Sequence, residues 1–390
     1  MSQLIILPDT EYGIRLGNIQ RALSAQHIDA ALITDNANKY YITGRVFSGS
    51  AYIPAEGMPI FFVRRPVGLE GDGVIYVRKP EEMAASIGLN MPHVIGLELD
   101  VTPYSTAERL KKIFSSSDMA NVSKIMSQIR SVKTDYEIEL IRQSGVKHER
   151  VYRRIPHIFR SGMTDIEFQI EIERISRLEG CLGQFRISGN SMELFMGNIL
   201  TGKNADNPTP YDFAMGGEGI DPSLPVGANG SVIRPGETIM VDLNGNYTGY
   251  MTDMTRTFSL GNVEPLASKA HECSIAICHE IAKTARQGME AKALYELAEK
   301  IVAEHDLHAY FMGHRQKAGF IGHGVGIEIN EAPVIAPRSR DILAIGNVVA
   351  LEPKFVIPGV GAVGIENTYV LTADGLTSLT NAPEQLINLE

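Results

Sequence analysis

Four carboxylates and one imidazole lie where charged side chains are seldom found, at the ends of apolar, strand-like runs. Asp242 closes the run ETIMVD, and Asp253 follows eleven residues later, beyond a Gly-containing turn. Two antiparallel strands would bring both carboxylates together. Glu352 closes NVVALE, and Glu366 lies in GAVGIENTYVL, again on consecutive strand-like segments joined by a Pro-Gly turn. His323 stands between glycines in GHGVG.

If the four carboxylates converge, each pair about 4 Å apart repels by about 4 kcal/mol at an effective dielectric near 20, and four groups make six pairs. Such a cluster calls for protonation or cations. Two divalent ions supply four positive charges against four negative ones, and His323 adds a neutral ligand. Two ions roughly 3.5 to 4 Å apart bridge a water and lower its pKa to about 7, which yields hydroxide at neutral pH. The pattern predicts a hydrolytic two-metal centre of Asp242, Asp253, His323, Glu352 and Glu366.

Other residues are weighed against this set. Thr255 and Thr257 follow Asp253 on the same strand and, by alternation, share its face, so both are expected to hydrogen-bond a ligand carboxylate from behind. In HECSIAICHE, Cys273 belongs to an apolar helical stripe while His271 and His279 do not share its face, which reads as core and surface. His148, His157, His305 and His308 lie in polar helical or helix-end surroundings and are explained by exposure or the helix dipole. The Gly- and Pro-rich stretch from Gly202 to Gly230 holds the piece MGGEGIDPSLPVGANG, which has no strand immediately before it and no Lys-Ser/Thr ending, against a phosphate cradle. It reads as a substrate-lining loop that includes Tyr211.

The elements that must position these residues follow from periodicity. Leu16, Ile19 and Leu23 fall on one helical face, AALIT reads as a buried strand, and AYIPAEGMPIFFV reads as a hairpin turning at Glu56-Gly57. GVIYV and HVIGLEL are further strands, and Ser105 with Glu108 forms a capping-box pattern. A domain boundary is placed near Arg130. Beyond it, Thr134 with Glu137 caps a helix from about Asp135 to His157, and Thr164 with Glu167 caps a second. After the carboxylate-bearing strands the order returns, with a helix from near Pro265 and another carrying Leu294, Leu297 and Ile301 before new strands. Two helix-helix-strand units suggest an internal duplication across a shared cleft.

Composition bounds the partners. With 36 basic and 46 acidic residues the formal charge is −10, and no long Lys/Arg run offers a nucleic-acid or membrane footprint. No segment approaches the roughly 20 apolar residues of a membrane span, and the amino terminus lacks a basic leader, so a cytoplasmic protein is expected. Cys181, Cys273 and Cys278 show no paired spacing and read as reduced thiols.

The segments DLNGNYTGYMTDMTRTF, GHGVGIEINEAP, ALEPKFVIPG and GIENT resemble the pita-bread metallopeptidases, the group of prolidase, aminopeptidase P and the more distant creatinase. The resemblance runs from about Thr134 to the end with all five ligand positions in order, and the preceding part, with NANKYYITG, looks like that family's amino-terminal domain. It implies an α+β chain: an α/β creatinase/prolidase-type domain over 1–130, then a duplicated pita-bread catalytic domain over 131–390. It further implies that Asp242 and Asp253 bind one metal, that Asp253 reaches the second with Glu366 bridging, and that His323 and Glu352 complete the second site. Glu352, which would exchange the nucleophile's proton, and His323 are thus the catalytic candidates.

Departures from the family pattern fall on the substrate side. Val226 in SLPVG and Asn330 before Glu331 stand where prolidases carry histidines. A third such position is Gly319, with His314 upstream as a possible substitute, and the family's usual Arg before the last Glu is Gly364. Val226, Asn330, His314 and Tyr211 are therefore the substrate-side candidates. The resemblance implies a metal-dependent peptidase, an Xaa-Pro dipeptidase or aminopeptidase whose metal-bridging hydroxide attacks a peptide carbonyl. The altered positions leave open a metal-dependent non-peptide hydrolase or lyase, or a non-catalytic binding protein. Manganese is the expected metal, with cobalt, zinc or iron also suited to such ligands. A homodimer acting on short peptides or another small molecule is the expected assembly.

Overall fold

The computed structural model describes residues 2–88, 91–189, 192 and 195–389. The chain divides into two compact units, Met1–Arg130 and Ser131–Glu390. No helix among the described residues is long and apolar enough to cross a membrane.

In the amino-terminal unit the described residues form a six-stranded mixed sheet in the order Val74–Tyr76, Ile60–Arg65, Ser48–Pro54, Ala30–Ile33, Val94–Leu97, Asp118–Asn121. Ala30, Leu32, Tyr52, Phe62, Ile95 and Leu97 pack from this sheet against Leu110 and Phe114. The helix Asp9–Ala25 buries Ile19 and Leu23 with Glu11 and Arg15, so the stripe continues at four-residue spacing through an ion pair of 2.6 Å that hydrophobic periodicity does not read. The helix Tyr104–Ile113 makes no side-chain cap at its start. Pro103, at φ −55°, precedes its first turn, and the Ser105/Glu108 pattern lies inside the helix unused.

The second unit repeats a device. The helices Asp135–Arg154 and Asp165–Leu178 both open with a complete capping box, at Thr134 with Glu137 and at Thr164 with Glu167. They pack on a sheet ordered Ile387–Asn388, Met251–Ser259, Thr238–Asn246, Gly197–Thr201. Ile239, Val241 and Leu243 of one strand and Met254 and Phe258 of its neighbour face these helices, joining Phe168 and Ile172 in one core. Side chains alternate along a strand, so Asp242, Asn244, Asp253, Thr255 and Thr257 emerge on the opposite face.

The helices Pro265–Thr284 and Ala291–Glu304 then cover a second sheet, ordered Glu331–Ile335, Gly322–Gly324, Val348–Leu351, Asn367–Thr372, Gly375–Ser378. Ile277, Ile281, Leu294 and Val302 bury against Val349, Leu351 and Leu371. Each such side chain removed from water contributes about 1.5–3 kcal/mol. A bridge between Thr255 and Glu366 links the two sheets.

One histidine departs from its expected surroundings. His148 is buried, because it lies on the same face of its helix as Ile141, Ser144, Val151 and Tyr152. Its Nδ1 is 3.0 Å from Thr252 Oγ1, and burial, reinforced by the charge of Arg256, lowers its pKa to about 3. It is a neutral core histidine rather than an exposed one. Cys273 and Cys278 are buried, His271 is buried with its Nε2 2.7 Å from the Glu384 carbonyl, and His279 is exposed beside Glu384.

Candidate metal centre

The strand register explains how distant carboxylates meet. Asp242 pairs with Thr255 and Asn244 with Asp253, so the two aspartates are diagonal neighbours on the face turned from the helices. In the second sheet His323 pairs with Ala350, and Ala350 with Thr368. Glu352 lies two residues beyond Ala350 and Glu366 two before Thr368, so alternation puts His323, Glu352 and Glu366 on one face. Thr368 Oγ1 accepts from Asp253 N–H at 2.8 Å and donates to the Asp253 carbonyl at 2.9 Å, which ties the two sheets at the centre.

Two groups of side chains result. Ligand atoms of Asp253, His323 and Glu366 lie within 4.8 Å of one another, as do those of Asp242, Glu352 and Glu366. His323 Nε2 is 3.2 Å from Glu352 Oε1 and 3.8 Å from Asp253 Oδ2. Its Nδ1 faces the Gly324 carbonyl at 3.1 Å. A carbonyl only accepts, so Nδ1 carries the proton and Nε2 is left to a ligand or a proton in the cleft.

The electrostatics register the crowding. Burial, and then the charges of Glu366, Asp242 and Glu352, hold the Asp253 carboxyl well above its usual range. Burial and Glu352 push Glu366 up to about 8. Burial also opposes ionisation of Glu352, but Lys354 and His323 outweigh it and bring Glu352 to about 2. Burial disfavours a charged His323, yet its hydrogen bond to Glu352 and the charges of Glu352 and Glu366 raise it to about 9. Without added cations this cluster retains protons.

A buried oxygen shows where a cation fits. Glu366 Oε2 accepts from Thr255 Oγ1 at 2.8 Å, whereas Glu366 Oε1, also buried, has no hydrogen-bond partner among the described residues. An ion at the Asp253–His323–Glu366 group would satisfy it, and two carboxylates with one imidazole suit a divalent first-row metal. The other group already holds a cation. Lys354 Nζ sits 2.8 Å from Asp242 Oδ2, 2.7 Å from Glu352 Oε2 and 3.2 Å from Glu366 Oε2.

Lys354 escapes a search for metal ligands, although its signal is visible as a lysine inside the apolar run ALEPKFVI. Arg256 escapes likewise. It is buried and donates from Nη1 to the carbonyls of Thr255 and Glu366 at 2.7 and 2.8 Å, which fixes the backbone that carries them. Asn198 and Asn244 line the cleft beside Asp242, and the buried Asn198 Oδ1 has no partner among the described residues.

The remaining expectations separate. Thr255 contacts Glu366, but Thr257 Oγ1 donates to the Gly364 carbonyl at 2.8 Å and touches no carboxylate, because the strand has passed the cluster by that residue. Asn330 lines the cleft with Ile187, Met192, Phe213 and Phe320. Its amide, however, bonds both ways to the Ser188 backbone at 2.7 Å, which holds the loop in place. Val226 is fully buried and does not line the cleft, as suits an apolar side chain within the glycine-rich stretch. Tyr211 and His314 line a neighbouring recess, where His314 Nδ1 is 3.0 Å from Asp206 Oδ2. His314 thus pairs with Asp206 and is not among the residues that line the cleft.

Comparison with known proteins agrees with the arrangement. Residues 139–373 match metallopeptidase family M24, and residues 15–132 match the creatinase/prolidase N-terminal domain. The chain is 26% identical to an Xaa-Pro dipeptidase of Pyrococcus horikoshii, over 92% of this chain and 95% of that one. It is 25% identical to an uncharacterized peptidase, YqhT, of Bacillus subtilis, over 96% and 100%. The crystal structure of the prolidase from Pyrococcus horikoshii OT3 shares the fold with a TM-score of 0.77 at 23% identity, over 96% of this chain and 100% of that one. These relatives favour peptide hydrolysis over a non-peptide reaction on the same scaffold. A carboxylate-and-imidazole cluster between two repeated sheet-and-helix units thus has its explanation in descent, and the chain belongs to metallopeptidase family M24 as a metal-dependent peptidase with a creatinase/prolidase N-terminal domain.

Proposed function

We propose that the chain hydrolyses short peptides with proline in second position, at a divalent-ion centre in which Asp253, His323 and Glu366 are the ligands and Glu352 stands beside them. The observation that carries this reading is Glu366 Oε1, which has no hydrogen-bond partner among the described residues, inside a buried group of metal-ligating side chains. A bound ion would polarise the scissile carbonyl and acidify water at neutral pH. Glu352, with Oε1 3.2 Å from His323 Nε2 at the edge of this group, is the side chain that takes up a proton from water and returns it to the leaving amine. His323 is kept by Gly324 with Nε2 toward the cleft. Asn198 and Asn244 offer amide contacts to a peptide main chain, and Phe213, Phe320 and Ile329 offer apolar walls that suit a proline ring.

The proline preference draws its support from relatives that bear the name Xaa-Pro dipeptidase, in Pyrococcus horikoshii and Pyrococcus furiosus. Manganese is the proposed ion, because oxygen ligands dominate the group and a single imidazole accompanies them. The test is hydrolysis of a dipeptide and tripeptide panel, with and without proline in second position, by protein loaded with manganese, cobalt or zinc. Cleavage of Xaa-Pro bonds only in the loaded protein is the expected result. Bound metal with no cleavage of any Xaa-Pro peptide would overturn the proposed substrate.

A further inference from the structure

Lys354 opens the strand Lys354–Ile357, two residues after Glu352, and its side chain is 0% exposed. An ammonium has three protons to donate. Here the acceptors are one oxygen each from Asp242, Glu352 and Glu366, at 2.8, 2.7 and 3.2 Å. Those residues are also one of the two groups whose atoms could hold an ion. We infer that Lys354 takes the place of one of the two divalent ions expected of this family, so that the centre is built for a single ion, at Asp253, His323 and Glu366, beside a fixed ammonium. This rests on the metal-dependent reading above and refines it.

Space decides the matter first. A divalent ion holds carboxylate oxygens at about 2.0–2.2 Å. An ion bonded to the three oxygens that already surround Nζ would overlap the ammonium. The lysine also has little freedom to withdraw. Met312 N–H donates to the Lys354 carbonyl at 2.8 Å, and Lys354 pairs with Gly364 across the hairpin. At Gly364, φ +145°, a Cβ would stand 2.8 Å from the Pro353 carbonyl oxygen and 3.1 Å from Lys354 Cα, so the two strands lie flush there.

The two groups also differ in what they still need. Glu366 divides its oxygens, Oε2 accepting from Thr255 and Lys354 while Oε1 accepts from nothing among the described residues. Asp242 becomes a partner of the lysine rather than a metal ligand. An ammonium neutralises charge and donates hydrogen bonds but offers no open coordination position, so carbonyl polarisation falls to the single ion.

The experiment is metal stoichiometry. Full-length protein is saturated with manganese(II), freed of excess by gel filtration, and its manganese per chain measured by mass spectrometry, with electron paramagnetic resonance to detect spin-coupled ion pairs. One ion per chain without a coupled signal is expected. Two ions, or a coupled pair, in protein that cleaves peptides would overturn the inference and leave the peptidase reading intact. No bound ion, with cleavage indifferent to metal, would overturn both. Lys354→Met, checked for folding by circular dichroism, should rise to two ions per chain, and a folded variant that stays at one would also overturn the inference. The wild-type count decides even where that variant fails to fold.

Discussion

Two buried glutamates, one in each unit, share a residue type and a depth but not a role. Glu98, in the amino-terminal unit, accepts from Thr34 N–H, Thr34 Oγ1 and Asp35 N–H on Oε2, and from Asn38 Nδ2 on Oε1. Both of its oxygens are committed to holding a strand end against the start of the helix Asn36–Thr43. Glu366 has one oxygen committed and one without a partner among the described residues, and it faces other carboxylates. Burial raises the pKa of both. Burial and a shifted pKa therefore do not mark a functional carboxylate. An unfinished hydrogen-bond account among like charges does, because it calls for an added cation or a retained proton.

That contrast can be broken by substitution. Glu366→Gln or Asp253→Asn is expected to remove bound metal and lower kcat/KM by on the order of 10³-fold or more, the size of losing a principal electrostatic stabiliser. Glu98→Gln should leave metal content unchanged, and metal loss there would erase the distinction. Thr255→Val removes the hydroxyl that holds Glu366 Oε2, and metal affinity should fall about 10- to 100-fold with the fold intact, measured by titration calorimetry.

Acid sharpens the same comparison. Glu366 carries a folded pKa of about 8 against an ordinary value of 4.5, so the metal-free folded state binds a proton that the unfolded chain has released between those values. The folded state is therefore favoured at the low end of this window, and stability drops as pH rises through it. His323, raised from 6.5 to about 9, acts in the same direction over its own window. Melting of metal-free protein should occur at lower temperature at pH 8 than at pH 5, and Glu366→Gln should flatten that dependence. A profile equally steep in the variant would show that the pH dependence resides elsewhere.

Smaller effects separate structure from chemistry. Glu98→Ala strands the Thr34 and Asp35 amides and should cost about 1–3 kcal/mol in denaturant unfolding without changing metal stoichiometry. Thr257→Val, which loses only bonds to the Gly364 backbone, should cost about 0.5–1.5 kcal/mol and leave metal affinity as it was. A fall in affinity there as large as that for Thr255→Val would restore the idea that both threonines support ligands.

The sequence by itself determined much of this protein. Asp242 and Asp253 on a hairpin, Glu352 and Glu366 flanking another, the capping boxes at Thr134 and Thr164, and two helix-helix-strand units could all be read from local patterns, because capping, alternation and turn chemistry act over a few residues. Asn330 could be placed near the cleft, but not its engagement with Ser188. What only the tertiary structure decided depends on contacts between residues far apart in the chain. Val226 could not be seen to sink into the core, nor His314 to turn to Asp206, nor His148 to lie neutral beneath Thr252. Above all, a lysine after Glu-Pro gives no local sign that its ammonium will meet Asp242, 112 residues away, and Glu366. Periodicity reports which face a side chain takes, whereas its partners are set by how separate sheets pack, and the charge balance of the centre is settled only there.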